Sequence, residues 1–496
     1  MKTSLTIPWK REVRTAVGTD NPTGKRTRNL DAKQKSLFIN DEIPKAKLFE
    51  GEKRDVHPDS NTSWRISPEP FWISEADLKW FEELGPHLLN FYRACNLLYS
   101  QSVRGIQPAW VAEYLEIGKP ETVIQYGRMN RFKTQLPGVL RPDILPTADG
   151  MAITELDSIP GFIGATGCLA RLYAQLGYAI IGGSDGMVNG YAEMIRSLAK
   201  KDDPTLAIVV SDESEDYRAE MVWLADALCE VGVKTRAVKP HEVIFTEDGL
   251  LVEHGNDKLP VDVLYRFYEL FDLPNIPKSE LMFYTAKKRT VVMTPPPKAY
   301  LEEKLCLALF HHPTLQPFWK RQLGKKSYPF LQAAIPETWI MDARPLPPHA
   351  VIPNLEVEGA AVTDWRQLGA VTQKQRELVI KPSGFSELAW GSRGVAIGHD
   401  LPTEAWEAVI ENSLENFERT PHVLQRFHTA KRVRMQYYDF DAGDMQEMAC
   451  RPLLRPYYFV AGDTVKLGGM QAAVCPADKK ILHGMVDSII VPCAQG

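Results

Sequence analysis

Between Arg141 and Gly161 the chain reads RPDILPTADGMAITELDSIPG, which places Arg141, Asp143, Glu155 and Asp157 in a mostly apolar context. Closely spaced carboxylates repel one another unless a cation sits among them. Oxygen ligands of this kind suit Mg2+, an ion that also takes substrate phosphates and water. The chemistry indicated is metal-assisted handling of a phosphate, with an arginine at hand.

For those side chains to act together they must share a face. The ADG triplet is turn chemistry, and Arg141–Thr147 and Met151–Asp157 read as the strands of a hairpin. A three-residue loop of Ala148, Asp149 and Gly150, with Gly150 left-handed, sets Thr147 opposite Met151, Asp143 opposite Glu155 and Arg141 opposite Asp157. Residues two apart on a strand share a face, as do opposed residues, so the four converge. A two-residue loop would shift the register and send Asp143 to the other side. A solvated hairpin carrying a surface Arg–Asp pair is the competing reading, and this stretch alone leaves both open.

Cations suited to phosphate lie downstream. Lys298–Phe310 reads as a helix carrying Lys304. Glu377–Lys381 reads as a strand, followed by the loop SGFSELAWGSRGVAIG. There Gly391, Ser392 and Gly394 let backbone amides approach a polyphosphate, and Arg393 adds charge. The spacing fits no Walker motif.

Between these stretches the chain alternates. Residues 1 to about 60 are polar and read as a flexible tail, with a targeting role as the other option. From Ser74 the pattern is helical, with Ser74 and Asp77 as a capping box, and Trp110–Ile117 and Thr122–Met129 read as shorter helices. The glycine-rich start after Pro160 continues as a helix but lacks the dinucleotide fingerprint. Leu206–Ser211, Val233–Val238 and Val261–Tyr268 read as strands of a doubly wound unit, with a helix over Tyr217–Val231 and a hairpin at Val243–Phe245 and Leu250–Glu253. Arg266 at a strand end is either a ligand contact or half of a salt bridge. The chain then reads as a helix, Glu404–Phe417, and the strands His422–Phe427, Arg432–Phe440, Met445–Arg451, Tyr457–Val460, Thr464–Met470 and Ile481 to the end.

The 496 residues suffice for two or three domains. A net charge of −5 and a pI near 6.2 argue against a general affinity for nucleic acid or acidic membrane. Seven scattered cysteines show no CxxC or zinc spacing. With no signal peptide, they fit a reducing, cytoplasmic compartment. No uncharged apolar run approaches transmembrane length.

Taken in order, RPD, then ELD after a hairpin turn, then PPPKAYLEEK, VIKPSG…GSRGV and HVLQRF, the motifs resemble those of the ATP-grasp superfamily in its circularly permuted form, most closely the synthetase domain of glutathionylspermidine synthase. The departure is Asp157, where that family has Asn. The resemblance implies an α/β (α+β) ATP-grasp fold with a helical N-terminal segment and an inserted Rossmann-like pre-ATP-grasp domain. The implied boundaries are a tail over 1–60, helices plus metal hairpin over 61–164, the inserted domain over 165–290, and the lysine and glycine-loop part with C-terminal strands over 291–496. It implies Mg2+ on Asp143, Glu155 and Asp157, and Arg141 at the reacting phosphate. ATP would be held by Lys304, Lys381, Ser392, Arg393 and Gly394, with Lys298 a secondary candidate and Gln425 and Phe427 near the adenine. The implied reaction joins a small-molecule or peptide carboxylate to an amine through an acyl phosphate. A phosphoryl transferase on the same site and a non-catalytic nucleotide-binding protein are the alternatives. Neither substrate nor the oligomeric state is legible.

Overall fold

The computed structural model describes residues 30–43, 48, 57–157, 159–347, 349–389, 393–483 and 487–496. Their largest sheet has seven strands. It runs Phe71–Ile73, Ile489–Gln495, Thr464–Pro476, Asp444–Ala461, Val139–Thr147, Gly150–Asp157, with Val433–Asp439 also paired to Asp444–Ala461. All these pairings are antiparallel except the first. The hairpin near the N-terminal third is therefore built into a sheet made mostly by the end of the chain. The helix Glu75–Val103 buries Phe81, Leu84, Leu88, Phe91, Cys95 and Leu98 at three- and four-residue spacing. At its start Asp77 N–H donates to Ser74 Oγ (3.1 Å), while the hydroxyl itself donates to the Asp77 carboxylate (2.8 Å). The shorter helices fall at Ala109–Glu116 and Glu121–Arg128.

The α/β passage forms a parallel sheet in the order Val292–Thr294, Val263–Phe267, Thr205–Val210, Lys234–Val238. Its central strand shows why the sequence there is continuously apolar. Leu206, Ile208 and Val210 pack into one buried cluster, while Ala207 and Val209 pack into another on the opposite face. Side chains alternate faces along a strand, so a strand covered on both sides needs no polar positions. A smaller antiparallel sheet, Thr338–Ile340, His422–Arg426, Leu378–Pro382, Ala396–Ile397, carries Lys381.

Three expectations about elements need correction. The stretch counted as a tail contains a helix, Ala32–Glu42, capped reciprocally by Asp31 and Gln34, and Ile39 and Ile43 enter the main core; most of the rest of 1–60 lies outside the described residues. The helix expected over Lys298–Phe310 is broken into a short 3-10 turn at Ala299–Leu301 and a helix at Leu305–His311. The break falls on Glu302, Glu303 and Lys304, whose side chains leave for three separate partners: Arg266, Lys119 and Glu155. The strands expected at Met445–Arg451 and Tyr457–Val460 are one strand, Asp444–Ala461, despite Pro452 and Pro456. On one edge its partner changes from Val433–Asp439 to Val139–Thr147, and Pro452 falls between the two. Leu454 pairs with Ile144 and Tyr458 with Leu140, so Pro456 comes opposite Pro142, and neither has an N–H to lose.

Two buried carboxylates brace this frame. Glu303 is paired with Lys119, both side chains almost fully enclosed, and also accepts from Gly384 N–H (3.2 Å). Removing one member of such a pair leaves an uncompensated charge. Lys119→Met is expected to cost about 3–5 kcal/mol, read as a lower denaturation midpoint, with much of it recovered when Glu303→Leu is added. Glu220, fully buried, accepts from the amides of Phe162 (2.6 Å) and Ala165 (2.9 Å) and so caps the helix Ile163–Gln175. Burial pushes its carboxyl up to about 8, against the pull of those amides. A carboxyl raised on folding adds stability that is full below its unfolded value and lost as pH rises through the folded one. Between pH 6 and pH 9 the denaturation midpoint of the native chain should therefore fall further than that of Glu220→Gln.

Candidate functional site

The hairpin pairs Arg141 with Asp157 and Asp143 with Glu155, as the four-residue convergence requires. The route there differs from expectation. The loop is two residues, with Thr147 opposite Gly150, and a bulge beside Thr154 absorbs the extra residue. A bulge leaves its extra residue outside the ladder. Thr154 uses that freedom: its hydroxyl donates to Asp143 O (3.2 Å), and its carbonyl accepts from Lys381 Nζ (3.0 Å).

The charged row continues across the sheet. Leu454 faces Ile144, so the next residue on that strand, Arg455, comes opposite Asp143, and Arg455 in turn pairs with Gln471. Asp143 Oδ1 lies 3.3 Å from Arg141 Nη1 and 3.3 Å from Arg455 Nε. Arg141 also contacts the Asp157 carboxylate, which accepts from Ile159 N–H (3.0 Å). Burial works against both charges. For Asp143 the two guanidiniums prevail and hold the carboxyl below its usual range; for Arg141 the carboxylates prevail and hold the guanidinium firmly charged. Asp157 goes the other way: burial, with Asp143 and Glu155 nearby, lifts its carboxyl despite Arg141.

The lysines reach the same place from other elements. Lys304 heads the helix Leu305–His311 and binds Glu155 Oε1 at 2.7 Å; burial opposes its charge, but Glu155 keeps it above the ordinary lysine value. Lys381 lies on the smaller sheet. Its Nζ donates to Thr154 O and to Gln425 Oε1 (2.9 Å), and burial brings it down to about 8.

Two cavities meet at this cluster, and Asp143 and Glu155 line both. One is walled by Arg141, Asp157, Lys304, Arg455 and the acids Glu269 and Glu302. Burial lifts both of those carboxyls, each raised further by the other or its neighbours, while Arg266 restrains them. The other is walled by Lys381, Arg451, Phe427 and the apolar side chains of Leu145, Val379, Ile397 and Leu453. Among the described residues, no three His, Cys, Asp or Glu side chains already stand grouped to hold a metal; the carboxylates are engaged by cations instead.

Several expected residues stand elsewhere. Ser392 and Gly391 lie outside the described residues. Arg393 comes 3.8 Å from Glu213 and does not line either cavity. Gly394 closes its loop by donating to Leu388 O (2.9 Å), and a Cβ there would strike Pro382. Of the glycines that follow Lys381, Gly384 lines the first cavity, and a Cβ there would sit 1.7 Å from Glu302 O. Gln425 turns its amide to Lys381 and Thr338. Its strand pairs on both sides, Phe427 N–H donates to Glu377 O (3.0 Å), and the Phe427 ring, which lines the second cavity, meets His399 edge-on at 4.6 Å. Lys298 is tied to Asn96 Oδ1 and to the carbonyls of Lys133 and Gln135, away from the cavities. Arg266 is fully buried on Tyr268 O and the Glu302 carboxylate, the salt-bridge alternative. Arg455 was missed, although an arginine inside the apolar run LLRPYYFV is a visible signal.

No protein-family model and no curated protein matches the chain. Among solved structures it is similar to a glutathione synthetase-like effector of Globodera pallida, with a TM-score of 0.55 and 10% identity over 94% of this chain and 97% of that one. A candidate gamma-glutamylcysteine synthetase of Methylobacillus flagellatus scores 0.38 at 12% identity, over 77% of this chain and 87% of that one, too low to argue from. At such identity the first likeness is one of fold: the chain has a mixed α/β, glutathione synthetase-like fold.

Proposed function

We propose that this protein is an ATP- and Mg2+-dependent carboxylate–amine ligase on a circularly permuted ATP-grasp frame, resembling the synthetase domain of glutathionylspermidine synthase. The observation that carries the reading is the junction of the two cavities. Asp143 and Glu155 from the hairpin line both cavities, and Lys304 and Arg455 join them from distant parts of the chain in one and Lys381 in the other. The hairpin precedes both lysines, and the parallel α/β sheet lies between, as an inserted domain in a permuted chain would. The likeness to the effector's fold supports the same frame.

The polar atoms at the junction suit a phosphate with a divalent ion. Asp143 Oδ1, Arg141 Nε and Arg455 Nε are buried without an aligned hydrogen bond, a state that asks for a further partner. Asp143 and Glu155 would hold Mg2+, with Asp157 beside them steering Arg141; an ion there neutralises phosphate charge. The apolar cavity receives the adenine beside Phe427. Lys304 exchanges the Glu155 carboxylate for a phosphate oxygen, and Lys381 adds a phosphate oxygen to its carbonyl and amide partners. Arg141 and Arg455 orient the substrate carboxylate for attack on the γ-phosphorus, from which ADP departs. The amine then attacks the acyl carbon, phosphate leaves and the amine loses a proton, giving an amide. The chain contributes positioning and charge neutralisation.

Acid- and amine-dependent ADP release accompanied by an amide product is the test. A stable phosphorylated acceptor would instead mark a phosphoryl transferase, and bound ATP without turnover a nucleotide-binding protein. Glu155→Gln should abolish ADP release in a protein that still melts cooperatively, at a lower temperature because Lys304 loses its partner; undiminished release would remove Glu155 from the metal site. Arg455→Met should slow turnover by about a hundredfold, ~3 kcal/mol, the usual cost of one transition-state donor.

A further inference from the structure

Lys381, Gln425 and Thr338 form a buried polar row across three adjacent strands. Thr338 is directly opposite Gln425, Gln425 is opposite Val379, and Lys381 is the diagonal neighbour on the same face. Thr338 and Gln425 are each 1% exposed and Lys381 is 8% exposed. Within the row every donor and acceptor has a fixed sense. Thr338 Oγ1 donates its proton to Pro336 O (2.8 Å), so towards Gln425 it can only accept. Gln425 must then present its NH2 end, Nε2 to Thr338 Oγ1 at 3.1 Å, and its carbonyl end faces Lys381. The reverse amide orientation would set an NH2 against an ammonium.

The lysine's own geometry completes the chain. An ammonium has three N–H donors. Gln425 Oε1 takes one and the bulge carbonyl of Thr154 takes another, from a different sheet. One N–H is left, and the cavity shared with Asp143 and Glu155 is where it can go.

We propose that Gln425 and Thr338 are positioning residues for Lys381: the threonine hydroxyl sets the glutamine amide, and the amide oxygen, with Thr154 O, aims the remaining N–H at a phosphate oxygen of the nucleotide. This rests on the ATP reading for the identity of the anion, but the row itself does not. It moves Gln425 from the adenine to the lysine.

Two readouts keep these apart. The first is the rate at which acetic anhydride labels Lys381 in the ligand-free protein, mapped by peptide mass spectrometry. The second is the affinity for Mg·ATP by calorimetry. Thr338→Val keeps the shape and removes the acceptor, Gln425→Leu removes the amide, and Thr338→Ser restores the hydroxyl. Labelling should rise several-fold in Thr338→Val and Gln425→Leu and stay near native in Thr338→Ser. Affinity should fall about tenfold in the first two, ~1.4 kcal/mol, and recover in the serine variant. Native labelling and affinity in Thr338→Val, with its melting temperature unchanged, would overturn the proposal. So would a Thr338→Ser variant as impaired as Thr338→Val, since that marks a packing role. If the native protein binds no Mg·ATP, the ATP reading fails, and the labelling rates alone still decide the row.

Discussion

A charge taken out of water must be answered within a few ångströms, and Asp143 is where that demand is sharpest in this molecule. It sits on the strand next to one edge of the largest sheet, with Glu155 on one neighbouring strand and Arg455 on the other. Desolvation of an unpaired carboxylate would cost several kcal/mol. Arg141 and Arg455 meet that cost, Asp157 answers Arg141, and Lys304 answers Glu155. The register of three strands and the placement of a helix start follow from one need to keep these ions together.

The same ions join parts of the fold that share no backbone ladder. Lys304 stands on the segment after the parallel sheet, and Lys381 on the small antiparallel sheet, yet both end on the hairpin. Glu303, one residue from Lys304, takes the amide of Gly384, three residues beyond Lys381. A glycine is needed there because the two backbones nearly touch. On the ligase reading, a Mg-bound polyphosphate would trade places with a contact that already exists, Glu155 passing from Lys304 to metal and Lys304 from Glu155 to phosphate. The ligand-free arrangement is then a paired rehearsal of the same charges.

Much of this was legible because it is local or periodic. Opposed positions in a hairpin follow from its ends, so the pairing of Asp143 with Glu155 could be read from RPD and ELD even though the loop was misjudged; the bulge at Thr154 made up the missing residue. The strands Thr205–Val210 and Val263–Phe267 announced themselves as apolar runs. What could not be read depended on distant partners. Nothing near Lys304 says that Glu302, Glu303 and Lys304 will be pulled three ways and interrupt a helix. Gly394 and Gly384 look alike as loop glycines; only the approach of Glu302 singles out the second. The tail looked too polar to fold because its helix packs on distant parts of the chain, the helix Ile163–Gln175 and the strands Val433–Asp439 and Asp444–Ala461, with Lys33 Nζ donating to Gly443 O across a separation of 410 positions.

The two prolines that face each other between Val139–Thr147 and Asp444–Ala461 give the site an unusual relation to its scaffold. At that rung there is no amide hydrogen on either strand, so no backbone hydrogen bond can form. The rungs on either side are those of Arg141 and of Asp143 with Arg455. Side-chain charge stands there in place of a backbone tie. Replacing Asp143 or Arg455 therefore loosens the sheet at the same stroke as it upsets the charge balance of the cleft.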